Sequence, residues 1–252
     1  MWILSDVRPF KAWEANASWE RLGIPDWKLN NESSPAESFV QFSPDLEMMA
    51  VRGLEFDVIS LADSSMLESV PHSQLVDAVK NYILMDLRPE VVGFFRLAEE
   101  KVMTYPNDPY EASCGRSEAF WRTFIVDRSR FGDLPDSSSV GRFETLMGRR
   151  NESQSEHWKY VYGEPYFSKA FASCYKRVVI ISSKGYIGLG PPDTQVGDMI
   201  CVLQGGQAPF VLRQGRYSFG RIMIEDAYIH GIMNGEYLQN VKPGHIREYW
   251  IQ

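Results

Sequence analysis

Two small groups of side chains in this sequence have the types and spacing to do chemistry. Tyr228 and His230 stand one residue apart in a β-forming run, so alternation puts both on one face. A phenol and an imidazole side by side are candidate catalytic groups, able to donate hydrogen bonds to a substrate carbonyl as charge develops there. The competing reading of His230 is a structural histidine with satisfied ring nitrogens. Trp121, Arg122 and Tyr186 are candidate substrate-binding residues. Arg122 and Arg128 flank the apolar face of a helical pattern that Trp121 joins, and present a cation beside an aromatic wall. The competing reading there is a helix edge with solvated charges.

Other chemistries find no support. The histidines His72, His157, His230 and His245 include no pair at metal-ligand spacing, so no metal or cofactor is expected. Cys114, Cys174 and Cys201 are odd in number and widely spaced, with neither CxxC nor a neighbouring histidine. Cys174 and Cys201 fall in apolar patterns and read as inert core thiols, which leaves only a nucleophile assembled in space. Gly188-Leu189-Gly190 resembles a phosphate loop, but Pro191-Pro192 forbids the helix that must follow, so it reads as a turn.

The elements that must position these groups follow from periodicity. From Ser73, the residues Leu75, Val76, Val79, Tyr82 and Ile83 recur at helical spacing, and Pro89 stops the run. Pro89 then opens a second helix with Val91, Phe95, Ala98 and Val102 in one stripe, ending near Tyr105-Pro106. Ser117 is the expected N-cap of a third, in which Phe120, Trp121, Phe124 and Ile125 cluster. After a polar break at 133–139, helical patterns return over 142–147 and 165–174. Val40 to Phe42 and Met48 to Ile59 read as short extended segments. Beyond Lys176 come β-prone runs at 178–181, 186–187, 199–203, 210–212 and 217–224. Eight of the 19 glycines lie between Gly185 and Gly220, the density of tight antiparallel connections. The expected fold is α+β, a helical N-terminal part packed on a C-terminal antiparallel β meander or small barrel. The chain is expected to form a single globular unit over 1–252, mainly helical over 1–175 and β-rich over 176–252.

Composition sets the outer bounds. The 252 residues suffice for a full core, and 44% hydrophobic with 23% charged residues is ordinary for a globular protein. Seven Trp, 12 Tyr and 14 Phe can fill that core or line an apolar pocket. A net charge of −7 argues against nucleic acid as a partner. Neither a signal peptide nor a membrane-spanning stretch is present, so the expected compartment is the cytoplasm.

Several motifs carry a resemblance. Tyr166 to Phe171 (YFSKAF), Lys184 to Pro191 (KGYIGLGP), Gln195 to Arg213 and Ala227 to Glu236 are similar to the region after the HET domain in fungal heterokaryon-incompatibility proteins. Glu118 to Thr123 resembles that family's helical linker, and a weaker likeness runs over Leu54 to Leu61. The HET domain itself is not recognisable, so the activity attributed to it is not carried over. Stand-alone HET-like proteins are associated with fungal natural-product pathways, where the resemblance implies small-molecule cyclisation of the Diels–Alderase type.

Two functions are therefore expected. The first is a cofactor-free cyclase or pericyclase acting on an apolar terpenoid or polyketide intermediate in fungal secondary metabolism. It would fold its small apolar substrate into a reactive conformer within a closed greasy chamber. The second is a non-enzymatic sensing or protein-interaction module related to heterokaryon incompatibility, with an exposed apolar patch and no deep pocket. The cavity separates them: enclosed and apolar for the cyclase, filled interior for the module.

Overall fold

In a computed structural model, the structure describes residues 41–63, 88–128, 134–149 and 165–252. The expected helix from Ser73, the N-terminal tryptophans, His72 and His157 lie outside the described residues. Among those described, the element order is β1 (Gln41–Phe42), β2 (Met49–Ala62), α1 (Arg88–Thr104), α2 (Arg116–Phe124), α3 (Ser137–Leu146) and α4 (Pro165–Cys174). Then come β3 (Val178–Ser182), β4 (Ile187–Gly190), β5 (Met199–Leu203), β6 (Phe210–Gln214), β7 (Gly220–Asp226), β8 (Tyr228–Ile229) and β9 (Arg247–Ile251). The α+β expectation is met, with the helices preceding all but the first two strands.

The nine strands form one sheet in the order β5-β6-β7-β9-β2-β3-β4-β8, with β1 on β2. An added pairing of β2 with β5 closes β2, β5, β6, β7 and β9 into a five-membered ring. The pairings are antiparallel except between β7 and β9. The expected small barrel is thus present. Its closing strand is β2, a 14-residue strand that takes the extended segment expected at Met48 to Ile59 on to Ala62. Residues 49–53 of β2 pair with β9, residues 53–58 with β5, and residues 59–62 with β3. Register shifts between Glu55 and Asp57 and between Ile59 and Leu61 let one strand serve three partners, because a bulge bends a strand away from its neighbour.

Gly53 sits where β2 meets both β9 and β5. A Cβ there would lie 2.7 Å from Leu203 Cδ2 and 2.9 Å from the Val202 carbonyl oxygen. Gly188 is a similar case and corrects the expected turn. Gly188-Leu189-Gly190 lies within β4, and a Cβ on Gly188 would fall 2.4 Å from the Tyr228 carbonyl oxygen. The glycines serve close backbone approach, which carries the same sequence signal as a turn.

The helices cover β3 and β4. Phe95, Ala98 and Val102 of α1, Phe120 and Phe124 of α2, Phe143 of α3 and Ala170 of α4 pack on Val179, Ile181, Ile187 and Leu189. The other face of β3 supplies Val178 and Ile180 to a second cluster with Leu54, Phe56, Ile200 and Val211. All five residues of β3 are buried, which explains its unbroken apolar run. A third cluster joins Val51, Leu203, Leu212, Tyr249 and Ile251. The two faces of β5 feed different clusters, Ile200 and Val202 one way, Cys201 and Leu203 the other.

One capping expectation is corrected. The N-cap of α2 is Gly115, and Ser117 lies inside the first turn. The chain turns in early because Arg116 is held in place. Its guanidinium donates to the carbonyls of Val102, Met103, Tyr105 and Asn107 and pairs with Asp108 at 3.3 Å. These carbonyls belong to the end of α1 and the loop beyond it, so one side chain satisfies acceptors left open at that helix end. At α3 the polar break contains the cap: Asp136 accepts from the Ser138 and Ser139 N–H groups. Among the described residues no helix is long and apolar enough to cross a membrane.

Candidate functional site

A half-enclosed cleft of about 230 Å³ opens where α2 and its flanking turns meet the turn after β8. Its lining includes Cys114, Glu118, Arg122, Asp127, Tyr228 and His230. Arg128, Asn234 and Glu236 complete the polar rim.

The α2 wall is built by helical periodicity. Ala119, Phe120, Thr123 and Phe124 go into the core, which turns Glu118 and Arg122 outward one above the other. Arg122 pairs with Glu118 at 2.8 Å and with Asp127 at 2.7 Å. Asp127 reaches back because Val126 and Asp127 both take positive φ, 50° and 53°, folding the chain over the helix end. For a β-branched residue such a φ is strained, and strain of this kind persists only where surrounding contacts enforce it. Here the Val126 and Asp127 N–H groups bond the Thr123 and Arg122 carbonyls. Burial opposes the charge on Arg122, but its bonds to Asp127 and Glu118 outweigh this and raise its pKa.

The opposite wall is held by the sheet. Tyr228 pairs with Leu189 of β4, and the His230 N–H donates to the Ile187 carbonyl at 2.9 Å. The Tyr110 phenol donates to the His230 carbonyl at 3.2 Å and accepts from the Ile187 N–H at 2.8 Å, so it pins the same stretch from below. The side chains of Tyr228 and His230 meet as alternation requires, Oη to Nδ1 at 2.8 Å. The other ring nitrogen, Nε2, faces Cys114 Sγ at 4.0 Å, the long limit of a sulfur hydrogen bond.

Electrostatics keeps this row of groups neutral. Burial lowers the His230 pKa, Asp127 opposes that shift, and Arg122 adds to it. Burial likewise raises the Cys114 thiol and places the Tyr228 phenol well above its ordinary value. A neutral imidazole can then take one of two tautomers. With the proton on Nδ1 it donates to Tyr228 Oη and leaves Nε2 free to accept from the thiol.

The five expected site residues are therefore split. Tyr228, His230 and Arg122 share the cleft. Trp121 lies behind it, buried against Tyr166, whose phenol donates to the Trp121 carbonyl. The Arg122 guanidinium covers its ring at 5.3 Å. Tyr186 stands behind the other wall, edge-on to Phe56 at 4.8 Å and to Tyr110 at 5.7 Å. Neither Trp121 nor Tyr186 lines the cleft. Sequence reasoning missed Tyr110 and Asp127, and left Cys114 without a partner. Alternation could reach Tyr228 and His230, but Cys114 is 116 residues from its imidazole. Cys174 and Cys201 are buried as expected, and burial pushes the Cys201 thiol up to about 12.

The lining of this cleft differs from that of the expected apolar chamber. Five charged side chains, Glu118, Arg122, Asp127, Arg128 and Glu236, face this space, which suits a small polar guest better than a greasy one.

Comparison with known proteins agrees with this architecture. Residues 147–245 match the Het-6 beta-barrel domain. The chain is 32% identical over 185 residues to heterokaryon incompatibility protein 6, OR allele, of Neurospora crassa. That alignment covers 58% of this chain and 27% of the relative, so the chain spans about a quarter of that relative's length. No solved structure matches it. The chain is thus related to heterokaryon-incompatibility proteins.

Proposed function

We propose that this relative of heterokaryon-incompatibility proteins is a recognition module, in which the barrel presents surfaces to a protein partner. The observation that carries the reading is a group of exposed apolar side chains at two adjacent turns. Tyr217 and Phe219 in the β6–β7 turn stack at 5.6 Å and 14° while 49% and 60% exposed. Phe42 and Leu46, beside the β1–β2 turn, are also exposed, and Met48 of that turn approaches Gly220 at the base of the other. Aromatic rings stacked in water, with no core to join, are typical anchors for a partner surface.

The filled interior supports the same choice. Among the described residues, one side-chain cluster packs between helices and sheet and two more pack among the strands, and the cleft beside the first is charged. A cofactor-free cyclase for an apolar terpenoid or polyketide asks for the opposite, an enclosed apolar chamber.

The test is cellular. The chain is expressed in fungal strains, and these are fused with a panel of strains that differ at incompatibility loci. Growth arrest at the fusion front is expected with at least one tester. Tyr217→Ser with Phe219→Ser should abolish it at unchanged thermal stability, because neither ring supports the core. Normal fusion with every tester would remove the proposal. So would accelerated, product-selective cyclisation of a linear diene or polyene by the purified chain, which would restore the enzyme.

A further inference from the structure

We infer that Cys114 is a nucleophile for small neutral carbonyl electrophiles, with His230 as its base and Tyr228 fixing the imidazole. The inference goes beyond the recognition reading and does not depend on it.

Three observations carry it. First, Cys114 Sγ, His230 Nε2 and Nδ1, and Tyr228 Oη form one line, with spacings of 4.0 Å and 2.8 Å, along the wall of a cleft. That is the arrangement of an activated nucleophile: base within reach, and base oriented by a third group. Second, Cys114 is the partly exposed cysteine, whereas Cys174 and Cys201 are buried. Third, the positive charge of Arg122 is already taken up within the lining. Its two terminal nitrogens are engaged by Glu118 and Asp127. The guanidinium is therefore already compensated in charge. Such a lining suits a neutral carbonyl compound better than a carboxylate, because its acids outnumber its arginines three to two.

The chemistry that fits is conjugate addition to an α,β-unsaturated carbonyl compound. The thiol proton passes to His230 Nε2 as sulfur forms a bond to the β-carbon. The π electrons shift toward the carbonyl oxygen, giving an enolate. The imidazolium then returns the proton to the α-carbon. The product is a thioether, all atoms are retained, and no oxidant or leaving group is involved. About 230 Å³ admits a small molecule of this kind.

His230 is faced by Cys114, Glu118 and Arg122 from the α2 side, by Asp127 beyond that helix, by Glu236 from the turn after β8, and by the Tyr110 and Tyr228 phenols. Burial holds the ring neutral at pH 7, as a base must be.

The test uses the whole chain with but-3-en-2-one and, as the anionic counterpart, acrylate. Each rate is normalised to that of N-acetylcysteine and followed by intact mass and peptide mapping. Adducts are expected on Cys114 alone, with the ketone favoured over acrylate. The rate should be nearly flat between pH 7 and 8, because a neutral base is already in place. His230→Gln should lower the pH 7 rate about tenfold or more and restore the steep pH dependence of an unassisted thiol. Tyr228→Phe, which keeps the ring's volume, should move the acid limb of the profile. A wild-type rate rising about tenfold per pH unit would overturn the inference whether or not the variants fold. So would adducts spread over all three cysteines, no adduct at all, or a normalised acrylate rate equal to that of the ketone.

Discussion

His230 shows at the residue scale how burial becomes a pH dependence. Its pKa is lowered in the folded chain, chiefly by burial, while the unfolded chain titrates at about 6.5. Below about 6.5 the unfolded state therefore binds more protons than the folded one, and acid favours unfolding. The contribution is fully present above that value and is lost as the pH falls toward the lowered folded one. The urea midpoint should fall more steeply from pH 7.5 to 5 in the wild-type chain than in His230→Gln. Parallel curves would show that the imidazole is not held neutral. At this scale the sequence was legible only where local geometry speaks. A separation of two residues on a strand predicts that Tyr228 and His230 meet, and they do at 2.8 Å. Nothing local links His230 to Cys114 or to Tyr110, because those contacts exist only after α2 and its approach have docked on β4.

Helices were the most legible elements. Pro89 and Pro106 bracket α1, and the stripe through Phe95, Ala98 and Val102 is the face that packs on the sheet. What joins α1 to α2 was not legible. Beside the packing of Phe95 on Phe124, one side chain does it, since Arg116 gathers the carbonyls of Val102, Met103, Tyr105 and Asn107 while salt-bridged to Asp108. Hydrogen bonds from a charged donor to otherwise open acceptors are among the stronger ones. Arg116→Ala should therefore cost about 2 kcal/mol in chemical denaturation. Arg116→Lys should recover little of that, because one ammonium cannot span four carbonyls in two directions. Full stability in Arg116→Ala would mean that water replaces the clamp. Strands were legible as apolar runs, but glycine misled. At Gly188 and Gly190 the missing Cβ makes room for a neighbour, whereas the same letters between β-prone runs read as a turn.

At the scale of the whole molecule, the ring closes through β2, and the sequence offered no sign of its partners. Its pairings with β5 and β9 join residues near 50 to residues near 200 and 250, and periodicity says nothing about such distances. Gly53 is where this closure can be tested. Alanine there must displace the Val202 carbonyl or the Leu203 side chain, and overpacking of that kind costs roughly 1–3 kcal/mol. Gly93 is the counter-case. It lies exposed on α1 with nothing within 4 Å of a Cβ, so Gly93→Ala should stabilise by about 0.5–1 kcal/mol through helix propensity. Thermal unfolding of the two variants should move in opposite directions. A Gly53→Ala protein as stable as the wild type would show that the closing strand has slack.

The place of β2 also bears on what may be cut from this protein. The stretch matching the Het-6 beta-barrel domain runs from 147 to 245 and contains neither β2 nor β9. Excised at those limits, the strands would fall into two separate sheets, β5-β6-β7 and β3-β4-β8, with bare peptide groups along β3, β5 and β7 inviting fibrous association. A fragment intended to stay monodisperse has to keep the strand contributed by residues 49–62, however far upstream of the recognisable repeat of turns it lies.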